Sequence, residues 1–178
     1  MAEVIELDPV DHLAAGAIGV PGSRQFLVQA RRGGVELTVL MEKEQVALLA
    51  AESTAFLDRV AEEYPEPMPE DSAMGINAEL SEPGEPLFRV QLIGLGFDPA
   101  RDLVLIELRE RSPRDAEEIG GEDDEDEDDG FLARLFATRA QVRAMAMRSV
   151  GVVAAGRPRC TLCDFPMDPA GHICPRWN

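Results

Sequence analysis

The three cysteines of this chain all lie in its last nineteen residues, together with one of its two histidines. They form two pairs, Cys160-x-x-Cys163 and His172-x-Cys174. Three thiolates and one imidazole complete the ligand set of a four-coordinate structural zinc site. A tight turn brings the first pair to one ion, and an extended segment places the second pair on one side of the chain. The spacing therefore predicts Zn(2+) bound by Cys160, Cys163, His172 and Cys174.

The residues between the two pairs favour turns over helix or strand, which is typical of a segment that a metal orders. A catalytic zinc keeps one coordination position open and commonly has three protein ligands. Four ligands therefore favour a closed, structural ion. A redox switch, in which oxidation of the thiolates releases the ion, is a third hypothesis that the sequence leaves open.

A small basic end surrounds the predicted zinc site. Arginines could contact phosphates or an acidic protein surface, and a tryptophan could stack on a base. They could instead solubilise the tail and compensate the C-terminal end of the preceding helix. Three arginines are few for nucleic-acid binding, so a protein partner is favoured. The candidate partner contacts are Arg157, Arg159, Arg176 and Trp177.

No catalytic constellation is present elsewhere in the sequence. The second histidine, His12, lies beside Asp11, and we interpret it as part of a surface turn. The chain has no Gly-x-Ser-x-Gly, no phosphate-binding loop and no dinucleotide fingerprint. We therefore assign no catalytic residue and no further cofactor, and an enzyme is the less favoured class.

The formal net charge of −17 is mostly local. Residues 115–129 hold 11 of the 34 acids, and without them 23 acids face 17 bases, a net charge of −6. Such a run is typical of a solvated loop. Double-stranded nucleic acid is disfavoured as a partner of the whole chain, because phosphate contacts need a basic face.

The sequence predicts a cytoplasmic protein without a membrane partner. Residues 1–6 carry acids where a secretion signal carries basic residues. No apolar run approaches the roughly 20 residues that span a bilayer. Three clustered cysteines indicate metal binding in a reducing compartment instead of a disulfide framework.

Two segments, 35–46 and 131–142, are similar at an offset of 96 residues. Both read as a short apolar strand followed directly by an amphipathic helix, and Gln45 aligns with Gln141. Thr138 with Gln141 has the form of a capping box, which predicts the start of the second helix. The similarity indicates an internal repeat.

Two further strands are predicted before each of these segments. They cover 14–19 and 25–31 in the first half and 87–95 and 103–109 in the second. The predicted fold class is α+β, with two pseudo-repeated βββα units packed as one mainly antiparallel-sheet domain, plus a small C-terminal zinc-bound tail. The predicted boundaries are a domain over 1–156, halves over 1–62 and 87–156, a Pro/acid-rich linker over 63–86, an acidic loop over 111–130 and the tail over 157–178.

The C-terminal motif, read with the strand that leads into Glu42-Lys-Glu-Gln45, resembles a family of uncharacterised actinobacterial proteins. The family is a domain of unknown function, sometimes labelled a repeat protein, and the resemblance covers nearly the whole chain. It implies an actinobacterial cytoplasm and no established activity. Thr161 and Asp164 stand where the family leads us to expect the proline and glycine of Cys-Pro-x-Cys-Gly.

These observations predict a non-enzymatic, zinc-stabilised binding or adaptor protein. One alternative is a hydrolase or transferase with a carboxylate-lined cleft between the two halves. Another is nucleic-acid contact through the basic tail. The partner and the oligomeric state do not follow from the sequence.

Overall fold

The computed structural model describes residues 3–66, 75–82, 84–110, 130–167 and 171–177. Seven strands and two helices occupy these ranges. The strands are β1 (Glu3–Leu7), β2 (His12–Ile18), β3 (Gln25–Arg32), β4 (Val35–Met41), β5 (Val90–Asp98), β6 (Leu103–Glu110) and β7 (Phe131–Thr138). The helices are α1 (Lys43–Glu63) and α2 (Arg139–Ala154).

We call the described part of the chain before the tail, up to residue 156, the body. Each of its two halves contains the order strand, strand, strand, helix. Strands β2, β3 and β4 form one antiparallel sheet that leads into α1. Strands β5, β6 and β7 are also antiparallel and lead into α2. The predicted α+β class is therefore confirmed, whereas the origin of the two halves by duplication stays a prediction.

Strand β1 was not predicted, and it belongs to the sheet of the other half. It pairs in parallel with β7, which gives the order β1-β7-β6-β5. Only Leu7 of this strand is buried, and Glu3 and Glu6 remain exposed. Five residues with two exposed acids carry little local signal, so the parallel pairing with a strand far along the chain decides their conformation.

The chain crosses between the two sheets at two places. The Leu87 N–H donates to the Thr38 carbonyl at 2.8 Å, so the residues before β5 lie beside β4. The Val10 N–H donates to the Phe136 carbonyl at 2.8 Å, so the residues between β1 and β2 lie beside β7. One hydrophobic core accordingly contains side chains from both sheets and both helices.

Gln45 connects the first helix to the second half. Its side-chain oxygen accepts a hydrogen bond from the Glu42 N–H at 2.8 Å and thereby caps α1. Its side-chain nitrogen donates to the carbonyl of buried Val90 at 3.0 Å. The same side chain thus caps its own helix and contacts the start of β5.

Gln141 makes the matching pair of contacts from the second half to the first. Its side-chain oxygen accepts from the Thr138 N–H at 2.9 Å, and its nitrogen donates to the carbonyl of buried Val10 at 3.1 Å. The predicted capping box is present at this helix start. The sequence match of Gln45 with Gln141 therefore corresponds to a reciprocal pair of contacts between the halves.

Arg139 joins the N-terminal end of α2 to the C-terminal end of α1. It donates to the Tyr64 carbonyl at 2.6 Å, pairs with Asp102 at 2.6 Å and lies over the Phe97 ring. Its side chain is only 5% exposed, although arginine is a residue type that usually faces solvent. Its partners come from distant parts of the chain, which a helical period does not reveal.

His12 is not part of a surface turn. It is the first residue of β2, it is buried, and its Nε2 lies 3.0 Å from the Glu79 carbonyl oxygen. The burial comes from the segment 75–82, which lies far along the chain and within the predicted linker. The histidine therefore serves packing, and the sequence interpretation of this residue was wrong.

The described part of the predicted linker lies against the sheet β2-β3-β4. The Ser81 N–H and hydroxyl both donate to the Gln29 side-chain oxygen, at 2.9 and 2.7 Å. Leu80 lies over Gly16 so closely that a Cβ at this glycine would come within 2.6 Å of it. The segment 75–82 thus covers a sheet face. Residues 67–74 and 83 of the predicted linker, and residues 111–129 of the predicted acidic loop, lie outside the described residues.

Candidate metal centre

The tail after α2 is built from turns. The Asp164 N–H donates to the Cys160 carbonyl, and the Cys160 N–H donates to the Phe165 carbonyl, both at 2.9 Å. Arg159 and Pro166 form an isolated bridge across this turn. These bonds fold the Cys160-x-x-Cys163 segment into a knuckle that directs both thiols to one side.

Asp164 takes a backbone conformation that favours glycine. Its φ of 62° lies in the left-handed region, which aspartate tolerates better than most residues. Arg159 holds it there through the Asp164 carboxylate at 3.0 Å and carbonyl at 3.1 Å. The departure from the expected glycine therefore leaves the turn intact.

The structure brings all four predicted ligands together. One ligand atom from each of Cys160, Cys163, His172 and Cys174 lies within 4.8 Å of the others. The Sγ atoms of Cys160 and Cys174 are 3.8 Å apart, and Cys163 Sγ lies 3.2 Å from His172 Nε2. A tetrahedron with usual zinc distances has S–S edges of about 3.8 Å and S–N edges of about 3.5 Å. The first separation equals that S–S edge, and the second is about 0.3 Å shorter than that S–N edge.

The cysteines are free thiols and not a disulfide. The Sγ separation of 3.8 Å between Cys160 and Cys174 far exceeds the bond length of about 2.05 Å. Both residues are buried, whereas Cys163 is half-buried. Three thiols and one imidazole at one point are the donor set of a tetrahedral metal site, and they lie close enough together to hold an ion.

The local electrostatics differ between the two cysteines of the knuckle. The backbone N–H groups of Cys163 and Leu162 direct hydrogen bonds at the Cys160 sulfur and lower its pKa to about 6. Burial raises the pKa of Cys163. Because the thiolate is the form that binds metal, the two cysteines of the knuckle differ in how readily they become ligands.

Two of the candidate contact arginines stabilise the tail itself. Arg159 binds Asp164, and Arg176 donates to the Leu162 carbonyl at 3.1 Å. The third, Arg157, lines a cavity on the body. Trp177 is 80% exposed, and its backbone N–H donates to the Cys174 carbonyl at 3.1 Å. The contacts of the three arginines are thus made with different parts of the molecule.

The tail exposes several large apolar side chains that the sequence analysis did not single out. Ile173 is 91% exposed, next to two ligands, and Phe165 and Leu162 are 58% and 48% exposed. Their positions follow no helical or strand period, because the backbone of the tail consists of turns and irregular segments. Trp177 is a fourth exposed apolar side chain of the tail.

The chain belongs to a family of unknown function. The family model described as "Protein of unknown function (DUF3090)" matches residues 5–174, which include both halves of the body and all four cluster residues. Neither the curated proteins nor the solved structures gave a match. Among the described residues, no helix is long and apolar enough to cross a membrane.

Proposed function

We propose that this protein is a non-enzymatic binding protein in which a structural zinc ion orders a C-terminal contact surface. The single observation that carries the proposal is the tail itself. A closed Cys3His cluster holds a short segment whose large apolar side chains point to solvent. The segment has no hydrophobic core of its own, so the metal would keep its backbone in one conformation. The exposed side chains would then be held in a fixed arrangement that a partner can bind.

Zinc is the metal that this donor set favours. Three thiolates and one imidazole are typical of structural zinc sites, and harder cations prefer oxygen ligands. When bound, the ion cross-links the knuckle to the segment that carries His172 and Cys174. Four protein ligands leave no coordination position for a substrate or an activated water.

The partner that fits the tail is a protein with an apolar patch bordered by acidic residues. Exposed aromatic and aliphatic side chains cost free energy in water. That free energy is recovered when a partner covers them. Trp177 and Phe165 are of the type that dominates protein interfaces. Arg159 and Arg176 lie in the same segment and would face acids at the border of that patch.

The two alternative functions have less support from the described residues. Few basic side chains lie in the tail, and Arg157 lines a cavity on the body instead, which weakens nucleic-acid contact. A surface cavity lined by Glu79 and Glu82 also contains Arg148, but Glu79 pairs with Arg148 at 3.1 Å. That is an exposed ion pair, so we do not favour an acid/base enzyme. The cytoplasmic location and the actinobacterial origin remain predictions.

A photo-crosslinking amino acid at position 173, introduced into the full chain in the cells that make it, tests the contact surface. We expect one discrete protein adduct, because Ile173 is the most exposed of the large apolar side chains described. The matched control is position 150, where Val150 is 63% exposed on α2. It should give no such adduct.

The same experiment in a Cys163→Ser background links the adduct to the metal. We expect the adduct from position 173 to disappear when the knuckle loses a ligand. An equal adduct from positions 173 and 150, or one that persists in the Cys163→Ser chain, would contradict the proposed function.

A further inference from the structure

Strand β5 is an open edge of the sheet β1-β7-β6-β5. In the part of the chain that the structure describes, it pairs with β6, and only the residues just before it lie beside β4. Eight of its nine residues are exposed or half-buried. The corresponding strand of the first half, β2, has five of its seven residues buried and is contacted by α2 and by the segment 75–82. Among the described residues, β5 has no such cover.

The residues of β5 do little to prevent pairing with another strand. Many proteins protect an edge strand with charged side chains, with prolines or by keeping the strand short. The opposite edge of the same sheet, β1, is five residues long and exposes Glu3 and Glu6. Before its last residue, β5 contains no charge and no proline, and Leu92 is exposed. Its one irregularity in register lies at its start, so the remaining residues present a regular edge.

A groove of about 260 Å³ runs beside this edge. Its apolar walls are Leu48, Leu49 and Phe56 on α1 and Ile93 and Leu95 on β5. It also contains one acid and one arginine, so it carries no net charge. Because no residue of β6 lines it, the groove lies on the outer side of β5. A strand added to β5 would therefore pair with the edge and also contact the apolar wall of α1.

We propose that β5 pairs with β5 of a second copy of this chain, antiparallel about a two-fold axis at Gly94. Directly opposed residues of two paired strands have their side chains on the same face of the sheet. A two-fold axis between identical strands therefore requires one residue to oppose itself. Gly94 is the midpoint of β5 and has no side chain, so its self-opposition leads to no clash. The two four-stranded sheets would join into one continuous sheet.

This register brings apolar side chains together on the groove face. Ile93 opposes Leu95 of the partner subunit, and Leu95 opposes Ile93 of the partner subunit. Both residues line the groove, so its apolar floor continues across the axis. On the other face, exposed Leu92 opposes Gly96 of the partner subunit, where no side chain obstructs it.

The charges at the ends of β5 favour a second copy as the occupant. Arg89 precedes the strand, and Asp98 ends it. Antiparallel pairing about Gly94 places Arg89 diagonally from Asp98 of the partner subunit, at both ends of the interface. Each has an ion-pair partner in its own chain, Glu42 and Arg101, and the new contacts would extend these pairs. Opposite charges thus meet in an acidic chain whose copies otherwise repel each other.

Sedimentation velocity of the purified full chain tests the pairing. We expect a concentration-dependent dimer, at twice the chain mass of 19.4 kDa, between about 1 and 100 μM. Leu92→Glu should weaken the dimer about ten-fold or more, because it places a carboxylate in the uncharged interface. Leu92 is exposed, so this variant should fold normally. A parent protein that stays monomeric up to about 100 μM would overturn the proposal, and so would a dimer that Leu92→Glu leaves unchanged.

The double variant Leu92→Glu with Gly96→Lys tests the register. A Cβ at Gly96 would lie 3.6 Å from the Leu105 Cβ, which is an ordinary contact. In the dimer each introduced carboxylate opposes an introduced ammonium group of the other copy. We expect the double variant to dimerise at least about three-fold more tightly than Leu92→Glu alone. No recovery would contradict an axis at Gly94.

The matched control is Val4→Glu, which adds the same charge at an exposed position of β1, the opposite edge of the sheet. We expect its dimer affinity to stay within about two-fold of the parent protein. An equal loss in Val4→Glu and Leu92→Glu would overturn the proposal, because the effect would then reflect net charge and not the edge of β5.

Discussion

Replacing Cys163 with serine is expected to remove the metal and to leave the tail without protection from hydrogen exchange, while the body keeps its protection. Among the described residues of the tail, only Cys160 and Cys174 are buried. A segment without an apolar core depends on its metal, and structural zinc supplies about 10–16 kcal/mol in small domains. Loss of one of the four ligands should therefore unfold the tail as a whole.

Hydrogen exchange read out by mass spectrometry compares the tail with the strands of the body in one experiment. Leu162→Ser is the matched control, because it changes an exposed residue inside the same knuckle and leaves every ligand in place. We expect the control to retain metal and protection. Equal tail protection in Cys163→Ser and the parent would show that the cluster does not order the tail.

The second large effect is expected from the two glutamines that connect the halves. Gln45→Ala and Gln141→Ala should each lower the free energy of unfolding by about 2 kcal/mol, and the double variant by about 4 kcal/mol. Each change removes a helix-cap hydrogen bond and a bond to the carbonyl of a buried residue, Val90 or Val10. Equilibrium urea unfolding measures these differences.

The control for the glutamine variants is Gln91→Ala, at an exposed position beside Val90. It should change stability by less than about 0.5 kcal/mol. We expect the two single variants to be similar, because their contacts are reciprocal. A loss of stability in only one of the two variants would contradict the idea that these glutamines connect the halves. A loss no larger than in Gln91→Ala would contradict it as well.

The elements that local sequence determines were predicted well. The three-strand, one-helix order of each half follows from apolar patterns and turn residues, and the start of α2 follows from Thr138 with Gln141. The proximity of the four cluster residues follows from their types and spacing, because few other arrangements use three thiols and one imidazole. The metal identity itself stays a prediction.

The features that the sequence did not reveal depend on contacts between distant residues. Strand β1 acquires its conformation from β7, and His12 is buried by the segment that carries Glu79. The exposure of Ile173 depends on the irregular backbone between His172 and Cys174, which no periodic pattern describes. The alignment of Gln45 with Gln141 was visible in the sequence. Its physical reason, a hydrogen bond from each glutamine to the opposite half, became visible only in the structure.

The measurement that tests the central claim most directly is the metal content of freshly purified, reduced protein by elemental mass spectrometry. The proposed site predicts one zinc per chain, and Cys174→Ser should reduce this to none while the body remains folded. Absence of metal in the parent protein, or one zinc retained in Cys174→Ser, would contradict a zinc site formed by the four cluster residues.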